Sequence, residues 1–265
     1  ADKNIGSLTV HVSCNDAAAA GAEPIGLLVT LLIPPHGTEE EVEHIAQELA
    51  EAAKLANIEI IGGHTEVTAS VTRYVTCAAV IARAGKNGII TPAGMKAGQD
   101  IIMTKMAGIE GTAVIASDAA GRTGLTDAEL EEARGFMSMV SVVKEGLYAA
   151  EHGATAMHDI TEGGVFGAAW EMAEASGCGM VLYPEKVIMH PITKKICQKF
   201  GIDPYRLISS GSMLIACDDG EGMVKGLAAI GIPAAVIGKA VESGVSTADG
   251  TEISAPEADE LYKII

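Results

Sequence analysis

Apolar positions recur along this chain in two rhythms, and the alternation between them predicts a mixed α/β protein. Residues 5–21 carry an Ala-rich helical stretch closing on Gly21, a residue suited to end a helix. Residues 25–33 are apolar on both faces and predict a buried strand. Thr38 followed by Glu41 has the spacing of a capping box. The helix behind it places Val42, Ile45, Ala46, Leu49, Ala53 and Ala56 on one face, with Glu43, Glu48 and Glu51 outside. That helix ends near Asn57. Residues 58–61 predict a short strand stopped by Gly62-Gly63, and residues 73–84 a long one.

Turn-forming residues concentrate at 85–88 and 91–94, which places a domain boundary there and divides the chain into 1–92 and 93–265. Beyond it the pattern predicts a strand at 100–104, a helix from Gly111 and a second capping box at Thr126 and Glu129. A helix at 138–152 leads to a strand at 155–158, and a helix follows Gly163-Gly164 as far as Ser176. The remainder reads as strand 180–183, helix 191–200, strand 212–217, helix 220–230, strand 234–240 and a last hairpin. No strand is followed by a G-x-G-x-x-G turn and no Walker loop is present, which argues against Rossmann and P-loop enzymes.

Composition narrows the function. The formal net charge is −17, the opposite of the basic footprint that a nucleic-acid binder needs. A nucleotide is still allowed, because carboxylate-held divalent metals bridge an acidic protein to a polyphosphate. The five cysteines are scattered without a C-x-x-C pair, as expected of reduced thiols. The longest apolar run, 25–33, stops at Pro34-Pro35 and is too short for a membrane span. The expectation is a cytoplasmic protein with no membrane or nucleic-acid partner.

Four clusters carry candidate chemistry, each at a break in the pattern. Asn15 and Asp16 stand inside the first helical stretch, where such side chains compete with the backbone. They read either as an ordinary polar stripe or as ligands. Gly62-Gly63-His64-Thr65-Glu66 follows a strand, as a decorated turn or as a close approach to a ligand. In His158-Asp159-Ile160-Thr161-Glu162-Gly163-Gly164 a strand ends in a carboxylate and two glycines open a helix. Such a helix start favours anions such as phosphate, and Asp159 with Glu162 offers oxygen to a hard cation; the same residues also make a plain N-cap. Lys105 ends a strand ahead of a Gly-bounded turn, positioned to meet a phosphate or simply exposed.

In this order and spacing the clusters resemble the AIR-synthase-related superfamily, which includes hydrogenase-maturation proteins of the HypE type, thiamine-monophosphate kinase and selenophosphate synthetase. Asn15-Asp16 with Gly21-Ala22-Glu23-Pro24 resembles its N-D…G-A-x-P segment. Gly62-Gly63-His64-Thr65 resembles its G-G-[DHE]-[TS] signature, and Asp159-Ile160-Thr161-Glu162-Gly163-Gly164 its D-x-T-x-G-G signature. The segment 231–238 resembles its G-I-x-A-x-x-I-G strand.

The resemblance implies a two-domain fold. Its N-terminal domain would pair into a dimeric β-barrel, and its C-terminal domain would be ferredoxin-like α/β. It also implies ATP and Mg2+ in the cleft between domains and across a homodimer. By carry-over Asp16 and Asp159 are expected metal ligands, with Asp159 and His64 as catalytic residues. Asn15, Gly62, Gly63, Thr65, Thr161, Gly163 and Gly164 are expected around the nucleotide, joined by Lys105. His64 stands where several members carry an acid.

The implied reaction is ATP-dependent phosphoryl transfer that activates an oxygen acceptor, a small molecule or a protein. Two alternatives remain open: a small-molecule kinase like thiamine-monophosphate kinase, and a non-catalytic dimer that binds nucleotide or partners in metallocentre assembly. The Gly-rich segment and acid-bearing strand usual in the family have no counterpart before Ala1, and the final residues 261–265 lack the terminal cysteine of the HypE type. Carbamoyl dehydration on this polypeptide is therefore not expected.

Overall fold

The computed structural model describes residues 4–265. Its first unit comprises α1 (Ile5–Ala19), β1 (Ala22–Ile33), α2 (Glu39–Ala56), β2 (Glu59–Val67) and β3 (Val75–Ala84). The strands form a sheet in the order β2-β1-β3, with β1 parallel to β2 and antiparallel to β3. Leu27, Val29, Leu31 and Ile33 point to one face, where they meet Val10 and Cys14 of α1 and Ile45 and Leu49 of α2. The period-two alternation of a strand puts Ile25, Leu28, Val75 and Ile81 on the other face, where this single chain leaves them exposed.

β2 differs from the expected short strand. It runs straight through Gly62-Gly63 to Val67, with the register against β1 slipping by one residue between Leu27 and Leu28. Gly63 makes this possible: its φ is +148°, and a Cβ there would lie 1.8 Å from the Val29 carbonyl oxygen. The glycines thus serve close strand pairing rather than ending the strand.

The second unit comprises β4 (Asp100–Thr104), α3 (Ile109–Asp118), α4 (Ala120–Thr123), α5 (Asp127–Gly135), α6 (Val143–Glu151), β5 (Ala156–Ile160) and α7 (Gly164–Ser176). It continues with β6 (Gly179–Leu182), α8 (Pro191–Phe200), β7 (Ser212–Cys217), α9 (Gly220–Ala229), β8 (Ala234–Val241) and β9 (Val245–Thr247). The sheet order is β5-β7-β4-β8-β6-β9, antiparallel except for the β6–β9 pair. Ile101 and Met103 face Val165, Ala169 and Met172 of α7, while Ile102 faces the layer of α6 and α9.

Both predicted capping boxes form, at Thr38/Glu41 and Thr126/Glu129. The helix expected over 138–152 is broken instead. A 3-10 turn at Phe136–Met139 gives way to residues 140–142, and α6 starts only at Val143. The break has a tertiary cause: the Asn15 side chain takes up the Val140 carbonyl and the Val142 N–H. α1 joins the two units, since Val10 and Cys14 belong to the first core while Ala19 packs with Ile102, Met157 and Ile215 of the second. α6 lies close against it: a Cβ on Gly146 would lie 2.6 Å from the Ala18 carbonyl oxygen.

Candidate active site

Because α1 bridges both cores, Asp16 on its C-terminal half faces the end of β5, where Asp159 stands. The two carboxylates line a cleft of about 250 Å³ with Ala19, Thr91, Pro92 and His158. Asp159 is 8% exposed, and its Oδ2 has no hydrogen-bond partner among the described residues. Burial pushes the Asp159 carboxyl above the usual range, against the opposing pull of His158. Asp16 is pushed up to about 6, by desolvation first and by the Asp159 charge second. His158 braces Asp159. Its Nδ1 lies 2.6 Å from the Asp159 main-chain carbonyl, which only accepts, so Nδ1 carries the proton there. Its Nε2 lies 3.1 Å from Glu171 on α7.

Two facing carboxylates, one with an orphaned buried oxygen, form a donor set that a hard divalent cation would neutralise. Among the described residues no group of three or more His, Cys, Asp or Glu side chains is arranged around one point. The pair is thus a partial shell, which fits magnesium: that ion commonly takes one or two carboxylates and fills its remaining positions with water and phosphate oxygens.

The other expected residues are placed differently. Asn15 is buried, and both ends of its amide are used: Nδ2 donates to the Val140 carbonyl at 2.7 Å and Oδ1 accepts from Val142 N–H at 2.8 Å. It clamps the backbone instead of facing the cleft. The Lys105 ammonium is likewise occupied, 2.6 Å from Glu145 Oε1 and donating to three main-chain carbonyls, so it is not a free phosphate ligand.

Thr161, Gly163 and Gly164 form the turn from β5 into α7. Gly163 and Gly164 take φ of +79° and +61°, and a Cβ on Gly164 would lie 2.5 Å from the Tyr205 carbonyl oxygen. The Gly163 N–H donates to Asp259 Oδ2 at 2.7 Å, so a carboxylate of the C-terminal segment holds the donor that the sequence suggested for phosphate. The Thr161 carbonyl accepts from Gly164 and Ser209 N–H, and Glu162 accepts from the Tyr262 hydroxyl at 2.6 Å. Gly62, Gly63, His64 and Thr65 lie on β2 at the edge of the first sheet, away from the Asp16–Asp159 cleft. His64 Nε2 is 3.3 Å from Glu66, and both side chains are exposed.

The family model described as AIR synthase related protein, N-terminal domain, matches residues 1–84, and the C-terminal domain model of the same family matches residues 96–250. This chain belongs to the AIR synthase related family. It is 30% identical over 216 residues to a putative hydrogenase expression/formation protein of Methanocaldococcus jannaschii, covering 80% of this chain and 62% of that one. It is also 30% identical over 251 residues to the carbamoyl dehydratase HypE of Bradyrhizobium diazoefficiens, covering 90% of this chain and 69% of that one. The chain therefore spans about two thirds of the length of these relatives. A crystal structure of the hydrogenase maturation protein HypE in complex with ATP superposes with a TM-score of 0.83, covering 98% of this chain and 81% of that one. At 20% identity this likeness concerns the fold.

Within the AIR synthase related fold of this chain, three participants escape sequence reading. Glu145 meets Lys105 from 40 positions away, and Asp259 meets Gly163 from 96. Nothing local marks either. The third is Glu171: His158 stands inside the recognised motif, but its role depends on this carboxylate about two helix turns into α7.

Proposed function

We propose that this chain is an ATP- and magnesium-dependent enzyme that activates an oxygen acceptor by transfer of the γ-phosphoryl group. The observation that carries the reading is the Asp16–Asp159 pair, whose raised carboxyls and orphaned Oδ2 face each other across one cleft. Family membership and the ATP-bound HypE with a similar fold support it. Asp16 and Asp159 would hold the cation, which, when bound, offsets the charge of the phosphates. His158, held against Glu171, keeps the Asp159 main chain in place. The deep position of Asp159 restricts water beside its carboxylate. In phosphoryl transfer most of the acceleration comes from positioning and charge neutralisation, which is what such a pair supplies.

The reading includes a homodimer formed through the exposed face of the first sheet, with residues 1–92 as the pairing domain and 93–265 as the second domain. His64, Gly62, Gly63 and Thr65 would join the site through that pairing, since they lie on the edge strand of the pairing sheet. Isothermal titration with a non-hydrolysable ATP analogue, with and without magnesium, tests the proposal beside Asp16→Asn and Asp159→Asn. Binding that requires magnesium and is lost in both variants is the expected result. Unchanged binding in both variants would sink the reading.

A further inference from the structure

Lys105 directly follows β4 in a conformation that lysine seldom adopts, with φ at +51°. Four oxygen atoms hold it there. Its Nζ lies 2.6 Å from Glu145 Oε1 and donates to the carbonyls of Gly211 at 2.9 Å, Met139 at 3.1 Å and Ser141 at 2.5 Å. The lysine side chain is 11% exposed and the glutamate 1%. The three carbonyls take up the three N–H groups of an ammonium, and Glu145 Oε1, which makes no hydrogen bond of its own, supplies the opposing charge. Three main-chain carbonyls and one carboxylate are also the kind of shell that replaces water around a bare monovalent cation.

The cage reaches the candidate active site by a short path. Met139 and Ser141 flank Val140, whose carbonyl accepts from Asn15 Nδ2, while Val142 N–H donates to Asn15 Oδ1. Asn15 immediately precedes Asp16. The Lys105 charge is also felt on the same helix: with burial as the larger cause, it lowers the pKa of His11, one turn before Asn15. We propose that the Lys105 ammonium is a tethered substitute for a monovalent cation, and that its cage positions Asp16 through residues 139–142 and Asn15. The second half rests on the reading of Asp16 as a metal ligand; the first half does not.

Lys105→Gly empties the cage while suiting the positive φ. The 265-residue variant and the unaltered chain are melted in choline chloride, potassium chloride and ammonium chloride at equal ionic strength. The variant is expected to melt at least about 2–4 °C higher in potassium or ammonium than in choline, with the unaltered chain indifferent. Folding of the variant only in potassium or ammonium supports the cage equally. The same melting temperature in all three salts, or failure to fold in any, overturns it.

Titration of magnesium and the ATP analogue reads the positioning role. In choline the variant is expected to lose roughly tenfold in affinity, the usual scale for removing a supporting residue, and to regain it in potassium. Stability regained without affinity overturns the positioning role. If the unaltered chain binds no nucleotide, the proposed function fails while the melting comparison still decides the cage.

Discussion

Asp16 shows how a single side chain sets stability against function. Its carboxyl ordinarily titrates near 3.8 and is pushed up to about 6 by desolvation and by Asp159. The folded chain therefore holds this proton more tightly than the unfolded chain does. Stability falls as pH rises between those two values, and the penalty persists above them. Asp16→Asn is expected to raise the melting temperature of the metal-free chain at pH 8 and to leave it nearly unchanged at pH 3. Calorimetry in the presence of a chelator checks this, and destabilisation at pH 8 would mean that burial and the Asp159 charge together do not penalise the Asp16 carboxylate. The residue types of this site were legible in the sequence, because Asn15 and Asp16 are polar residues beside an Ala run and Asp159 stands near a strand's end ahead of two glycines. The division of labour between them was not. Asn15 and Asp16 are neighbours, yet the helix turns one into a buried backbone clamp and the other toward the cleft.

At the scale of elements, boundaries set by local chemistry were readable and those set by distant contacts were not. The two capping boxes close within three residues, so their sequence spacing is sufficient. The interruption before α6 depends on an amide 125 positions away, and a helical pattern of apolar residues carries no mark of it. β2 gives the opposite lesson. Gly62-Gly63 looks like a strand stop because glycine is poor in strand interiors, but tight pairing against Val29 needs a residue without a Cβ. Gly63→Ala is accordingly expected to destabilise the chain by about 3 kcal/mol or more, measured by chemical denaturation. A loss below about 0.5 kcal/mol would show that β2 shifts freely past β1.

At the scale of the whole molecule, the first sheet is covered on one face only. Ile25, Leu28, Val75 and Ile81 remain exposed on the other, beside an edge strand whose residues are all accessible. An apolar sheet face of this kind marks an interaction surface. The proposed homodimer predicts that Leu28→Glu combined with Ile81→Lys yields a folded monomer by light scattering, while the unaltered chain is dimeric. A monomeric unaltered chain would remove the pairing and, with it, the route by which His64 reaches the site. Among the described residues no helix is long and apolar enough to cross a membrane.

The sequence by itself determined most of the elements and the family, though not the extent of β2 or the break before α6, because periodicity, capping boxes and the short glycine–carboxylate motifs are local, and local geometry follows from neighbouring residues. It also marked several of the side chains with chemistry to offer, Asp16 and Asp159 among them, but not Glu145, Glu171 or Asp259. Only the tertiary structure decided which of them meet. Asp16 faces Asp159 because α1 packs into both cores, and Lys105 turns inward because four acceptors converge on it from β4's surroundings. The Gly163 N–H is satisfied by Asp259 rather than left free. Each outcome depends on burial, which raises the penalty for an unpaired charge or donor and so forces partners together across long stretches of chain.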